Sequence, residues 1–281
     1  MRCARANFTV LLISAAVAIP VQGAQINTAI PNFSPDNATG WLKPPGDEFI
    51  QPESGPGPVK ADPAHPYISN AIADQETVKI ADLTNPILQP WAIEKMRKEN
   101  EAVLAGKIGF TARSRCWPHG VPGFLLYPVH PIIFIQTPKE VMMTWGQDFQ
   151  LRHVYLDVPH SDNPKPSWYG ESVGHYENGD TLVVDTIGLN DRTYVDNYRT
   201  PHTTQLHVVE RFRLVNSTAM EVRVRVEDPG AFTMPWNAVQ RYKIDHRPGE
   251  VPLHEMVCAE NNTDHFNQGL VPIPQAGKPD F

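Results

Sequence analysis

Apolar and polar residues alternate with the period of a strand along much of the second half of the chain. Met220, Val222, Val224 and Val226 interleave with Glu221, Arg223, Arg225 and Glu227, which predicts a strand with one core face and one solvent face. Shorter apolar runs at 132–135, 141–145, 151–157, 172–177, 181–187, 207–215, 239–244 and 253–258 predict further strands. Thr137-Pro138-Lys139-Glu140, Asn178-Gly179 and Asn216-Ser217-Thr218 separate neighbouring runs as hairpin turns. Only 91–105 reads as a helix. Pro90 opens it, Glu94 and Lys98 pair one turn apart, and Gly106 stops it. Its apolar positions Trp91, Met96, Val103 and Leu104 are expected to dock on the core.

Strands joined by turns without intervening helices imply an antiparallel, mainly β fold, a lipocalin-like barrel or a sandwich. The expected organisation is a signal peptide over 1–23, a Pro-rich irregular arm over 24–89 and the helix over 90–106. An antiparallel β domain over 107–265 and a C-terminal tail over 266–281 follow. The arm holds eleven prolines between 24 and 90, and proline blocks regular hydrogen-bonded structure. It is expected to add little to the core.

Composition narrows the class. Of 281 residues, 28 are Pro and 41% are hydrophobic, which excludes a helical bundle and a disordered chain. The net charge of −7 excludes an electrostatic nucleic-acid binder. Arg2 and Arg5 precede a short apolar run, and Val21-Gln22-Gly23 offers small residues for cleavage. This is an export pattern, too short to span a bilayer. Its loss leaves a charge of about −9 and places the mature protein in the periplasm or outside the cell, with no membrane association. Cys116 and Cys258 remain, and an even count in an oxidising compartment predicts a disulfide between them.

Chemistry is sought where the polar residues fall. No P-loop, G-x-G-x-x-G, G-x-S-x-G or H-E-x-x-H stands in the sequence, which weighs against nucleotide, serine-hydrolase and zincin chemistry. By parity, His153, Tyr155 and Asp157 share one face of a strand, and His207, Val209, Arg211 and Arg213 one face of another. Polar residues of these types suit the inside of a barrel that forms a ligand cavity. The alternatives are a solvated face or buried ion pairs such as Glu210 with Arg213. His207 or His202 is the candidate proton-moving group, oriented by Asp185 or Asp191. Arg211 or Arg192 could hold a substrate carboxylate, Tyr155 and Trp168 could stack on a ring, and Asp157, His160 and Asn190 complete the candidate substrate-binding set. Three His with an acid could also ligate Zn or Fe, but His202 and His207 lack strand or helix ligand spacing, and no metal or other cofactor is expected.

Gly170-Glu171-Ser172-Val173-Gly174-His175-Tyr176-Glu177 runs into Asn178-Gly179-Asp180-Thr181-Leu182-Val183-Val184-Asp185-Thr186. With Gly188, Asn190-Asp191-Arg192-Thr193 and Leu206-His207-Val208-Val209-Glu210-Arg211-Phe212, this resembles a group of exported bacterial proteins of mostly unknown function, over about 110–262. Arg152, Asp157, Trp168, Asp185, Asn190, Asp191, His202, His207, Glu210 and Arg211 match that pattern. The turn after Asp157 is shorter than the relatives' D-G-R-x-H-P form, and His175 stands where they often carry Arg. The resemblance implies, for some relatives, cofactor-independent lyases acting on lignin-derived aromatic acids. The expected function is therefore an exported acid/base enzyme of decarboxylase type acting on a small aromatic acid. The competing readings are a lipocalin-like carrier of a hydrophobic molecule, a metal-dependent barrel enzyme, and an envelope protein whose loops bind a partner.

Overall fold

The computed structural model describes residues 30–34, 40–44, 48–66, 79–107, 109, 112, 116–126, 131–145 and 150–244. The signal segment, the strand expected at 253–258 and the tail lie outside the described residues. So does Cys258, and the Cys116 bridge is kept as an expectation. Thiol titration of the unreduced, denatured mature protein should find no free thiol, and two per chain would exclude the bridge.

Among the described residues, nine strands close into one barrel in sequence order. They are β1 (Trp41–Leu42), β2 (Ile132–Gln136), β3 (Glu140–Trp145), β4 (Gln150–Leu156), β5 (Glu171–Glu177), β6 (Thr181–Ile187), β7 (His207–Asn216), β8 (Ala219–Glu227) and β9 (Trp236–Ile244). All three predicted hairpins form, between β2 and β3, β5 and β6, and β7 and β8. The barrel is mixed rather than antiparallel throughout, because β4 and β5 pair in parallel. A parallel pair needs a crossover to carry the chain back, and residues 157–170 supply it. Gly170 ends that crossover at φ +63, where a Cβ would lie 2.3 Å from the Ile187 carbonyl oxygen, so glycine alone fits the turn into β5.

The Pro-rich arm is part of the core, contrary to expectation. β1 pairs with both β2 and β9 and closes the barrel. Phe33, Trp41, Phe49, Val59 and Ile80 are buried, and Trp41 Nε1 donates to the Phe33 carbonyl at 2.7 Å. Proline density excludes a long ladder there, but two residues suffice for closure.

Helix α1 (Pro90–Leu104) packs on the barrel through Ala92, Met96, Asn100 and Val103. Those positions recur every three or four residues and form one stripe. Leu104 lies off it and is exposed, which corrects the expectation that it docks, while Trp91, also exposed, is held through its indole N–H donating to the Gly230 carbonyl at 2.6 Å. Asn100 instead exchanges two hydrogen bonds with the backbone of Ala81, at 2.9 and 3.1 Å, tying the helix to the arm.

The inside of the barrel is filled by apolar side chains, among them Phe134, Phe212, Val184 and Val224. Two ionisable residues, one on β4 and one on β7, pair there across the interior. Arg152 Nη2 donates to Glu210 Oε2 at 2.5 Å, with both side chains buried. Glu210 does not pair with Arg213, which points to the opposite face of β7 and reaches Asp180 at 2.9 Å. An even and an odd position on one strand point to opposite faces.

Candidate functional site

The polar faces singled out by parity point outward. Along β7, Val208, Glu210 and Phe212 are buried, while His207 and Val209 are partly exposed and Arg211 is exposed. Along β4, Arg152, Val154 and Leu156 are buried, while His153 and Tyr155 are exposed. The expected inward-facing cavity of His, Asp and Tyr is therefore corrected to an outer-face cluster. Parity shows which residues share a face; only burial shows which face is inside.

Asp185 of β6 is the centre of that cluster. Its Oδ1 accepts from His207 Nε2 at 2.9 Å and from His160 Nε2 at 2.9 Å. His207 stands at the start of β7, diagonally across from Asp185 on the same outer face, since Asp185 is opposite Val209 in the β6–β7 register. His160 arrives from the crossover, which the parallel β4–β5 pair obliges to pass over this face. Two further carboxylates flank the histidines. His160 Nδ1 meets Glu171 Oε1 at 3.0 Å, and His207 Nδ1 lies 3.9 Å from Glu227 Oε2. Glu171 is itself held by the backbone N–H and hydroxyl of Ser161, both at 2.7 Å.

The charges follow from these contacts. The hydrogen bond to Asp185 raises the His207 pKa above its ordinary 6.5, against the effect of partial burial. Partial burial works to raise the Asp185 pKa, but hydrogen bonds from His207 and His160 hold it below 3.8. The hydroxyl of Ser161, more than any other group, keeps Glu171 ionised below the usual range. An ionised carboxylate only accepts, so His207 presents Nε2–H to Asp185. Its Nδ1, too far from Glu227 for a hydrogen bond, is the nitrogen left to gain and lose a proton. His160 has both nitrogens committed to carboxylates.

The pair gives stability a defined pH window. His207 is raised, so its contribution is full below pH 6.5 and is lost as pH rises through its folded value. Asp185 is lowered, so its contribution is present above pH 3.8 and is lost as pH falls through its folded value. The difference in thermal midpoint between the native protein and Asp185→Asn should be widest between those limits and shrink at higher pH. It should correspond to no more than about 1 kcal/mol, because both groups are partly exposed. A difference that is flat with pH would show that the two groups are not coupled.

The other expected site residues scatter. His202 is buried, and burial lowers its pKa. Its Nε2 meets Thr193 Oγ1 at 2.9 Å and its Nδ1 the Thr203 carbonyl at 3.0 Å, so it pins two loops together and does not reach Asp185. Asp191 is exposed on the turn after β6; its charge works to raise the His202 pKa, less than burial lowers it. Asn190 Oδ1 caps that turn by accepting from the Arg192 N–H at 3.0 Å. Arg192 lies over the Trp168 ring at 5.9 Å, and Trp168 packs against Trp117 at 5.4 Å. Arg211 leans toward Glu177 at 3.8 Å and stands about 13 Å along β7 from His207. Asp157, at φ 55, ends β4, and its N–H bonds the Gly174 carbonyl at 2.9 Å. Tyr155 is exposed and stacks on His153. It shares a cross-strand row with Val173 and Asp185, about 10 Å from the latter.

Glu171 and Glu227 are the site residues that reasoning from sequence missed. Glu227 carried a usable signal. A hairpin turning at Ser217 places it opposite His207, and that is the register observed. Glu171 carried none, because its role depends on the path of the crossover. Among the described residues no group of three or more His, Cys, Asp or Glu is arranged to hold a metal ion, and no helix is long and apolar enough to cross a membrane. Compared with known proteins, the chain matches no family model, no curated protein and no solved structure.

Proposed function

We propose that the protein is an exported acid/base enzyme, a lyase of decarboxylase type that turns over a small aromatic acid without a cofactor, with His207 as the proton-moving group. The observation that carries this reading is the Asp185–His207 hydrogen bond, with His207 Nδ1 3.9 Å from Glu227 and so without a hydrogen bond of its own. A carboxylate behind an imidazole fixes its tautomer and raises its basicity. In a decarboxylation, CO2 leaves with its carbon–carbon electron pair remaining on the substrate carbon. Protonated His207 delivers the proton that quenches that carbanion, and solvent restores it. The crossover that carries His160 continues to Trp168, where a ring face and the Arg192 guanidinium lie together and suit an aromatic carboxylate.

The lipocalin-like carrier reading has less support, because the barrel interior is occupied by the protein's own side chains. A thermal-shift screen of benzoic, cinnamic and phenolic acids tests the enzyme reading, followed by CO2 release assays on each compound that shifts the midpoint. Release of CO2, with a pH limb that moves in Asp185→Asn, is the expected result. A full panel with neither stabilisation nor turnover would overturn the reading.

A further inference from the structure

The crossover from β4 to β5 carries a contact that the proposed chemistry does not use. Its ends are fastened by backbone hydrogen bonds, from the Asp157 N–H to the Gly174 carbonyl at 2.9 Å and from the Ser167 N–H to the Gly188 carbonyl at 3.0 Å. Between those ends, among the described residues, only His160 and Ser161 hydrogen-bond to the barrel. Most of 158–166 is exposed. The segment is therefore a strap pinned at its middle. The pin has a defined proton requirement. His160 Nε2 meets Asp185 Oδ1 at 2.9 Å, and its Nδ1 meets Glu171 Oε1 at 3.0 Å. Both carboxyls are held below their ordinary range, and an ionised carboxylate only accepts. Both ring nitrogens must then donate, which only the imidazolium can do. A neutral ring would turn a lone pair toward one of the two carboxylate oxygens.

We propose that the strap is a pH-operated latch, closed while His160 is an imidazolium and released from Asp185 when His160 loses one proton. Glu171 keeps two bonds from the strap in either state, from the Ser161 N–H and hydroxyl, both at 2.7 Å. Asp185 Oδ1 also accepts from His207 at 2.9 Å, so Asp185 is the acid that can let His160 go. Release leaves that oxygen to His207 alone and removes a positive charge from its side. His207 then binds its own proton more strongly. The two imidazoles compete for one carboxylate oxygen, and the coupling between them is reciprocal. The charged groups around His160 are Glu171 from β5, Asp185 from β6 and His207 from β7, with Glu227 and Arg225 of β8 beyond His207. Asp157, Asp162 and Lys165 on the crossover itself are exposed. The latch stands on these contacts and holds whether or not the protein is a lyase.

Strap opening is read by cleavage of the full mature chain at the Ser161–Asp162 bond, using a protease that cuts before aspartate and mass spectrometry of the products. A peptide of residues 156–168 corrects for the protease's own pH dependence. Imidazole NMR of 15N-histidine-labelled protein follows the His160 proton over the same range. Corrected cleavage should rise about tenfold between pH 5 and pH 9, within the usual range for two linked equilibria. Its midpoint should fall on the His160 titration and not on that of His207. His160→Gln should be cleaved fast at both ends of the range, and His207 should titrate at higher pH in that variant. Glu171→Gln leaves one carboxylate, which a neutral His160 can meet, so the step should disappear. Corrected cleavage that stays flat while His160 titrates would overturn the proposal, as would an unchanged step in His160→Gln. The first of these is decided on the native protein alone, so it does not depend on a variant folding.

Discussion

A chain that begins at Gln89 is expected to lose its cooperative thermal transition. Removing the preceding segment takes away Phe33, Trp41, Phe49, Val59 and Ile80, all buried. Each buried apolar side chain contributes about 1.5–3 kcal/mol, so these together supply on the order of 10 kcal/mol. That approaches the whole stability of an ordinary domain, about 5–15 kcal/mol. The loss is also topological. Without β1, the facing edges of β2 and β9 are left unpaired, and unpaired edges invite aggregation. Calorimetry and circular dichroism of the shortened and full mature chains would measure this. A shortened chain melting within about 10 °C of the full one would overturn the result, since about 1 kcal/mol shifts a domain of this size by roughly 2–4 °C. Trp41→Ala isolates the closing contact and should cost about 3–5 kcal/mol.

The strands were legible because alternation is a local signal. From β2 to β9 each predicted run within the described residues lies on an observed strand, and each of the three turn sequences joins the strands on either side of it. Closure was not legible. Trp41 and Leu42 are too short a run to read as a strand, and their partners Ile132 and Ile244 lie far along the chain. The direction of the strands was misread at one place for a related reason. The crossover at 157–170 has no periodic pattern, so nothing in it distinguishes a hairpin loop from a segment that returns to the opposite end of β4.

That misreading governs what could be known of the site. Asp185 and His207 were paired on chemical grounds, because a carboxylate orients an imidazole, and the β6–β7 register brings them side by side on the outer face. His160 was named as well, but its place beside Asp185 depends on the crossover. His202 looked equivalent to His207 in type and position. It differs because the chain before β7 turns it inward against Thr193 and Thr203, and no residue pattern marks that turn. Arg152 and Glu210 were hidden in the same way. Each is one charged residue on an otherwise apolar strand face, and neither shows its partner on another strand.

His207→Ala is expected to reduce turnover by about 10²- to 10⁴-fold per folded molecule, the range for loss of a general acid or base. The imidazole begins β7 at the barrel's outer face and is about one-third exposed, so its removal opens no core cavity. What it loses is one partly exposed hydrogen bond to Asp185, worth no more than about 1 kcal/mol, and solvent can reach that oxygen. Stability should therefore fall modestly while rate falls steeply. His202→Ala makes the informative contrast. Its ring is buried between two threonine-bearing loops, so it should lower the thermal midpoint more and leave the surviving folded fraction active. His160→Ala should sit between them, because His160 holds Asp185 in place from the far side without presenting a free nitrogen. The decisive measurement is rate per folded molecule set beside the thermal midpoint for all three variants, on whichever acid the screen identifies. If His207→Ala keeps near-native turnover, the Asp185–His207 pair is a surface clamp and not the proton-transfer centre. If His202→Ala alone abolishes turnover at unchanged stability, the chemistry belongs to the buried loops instead.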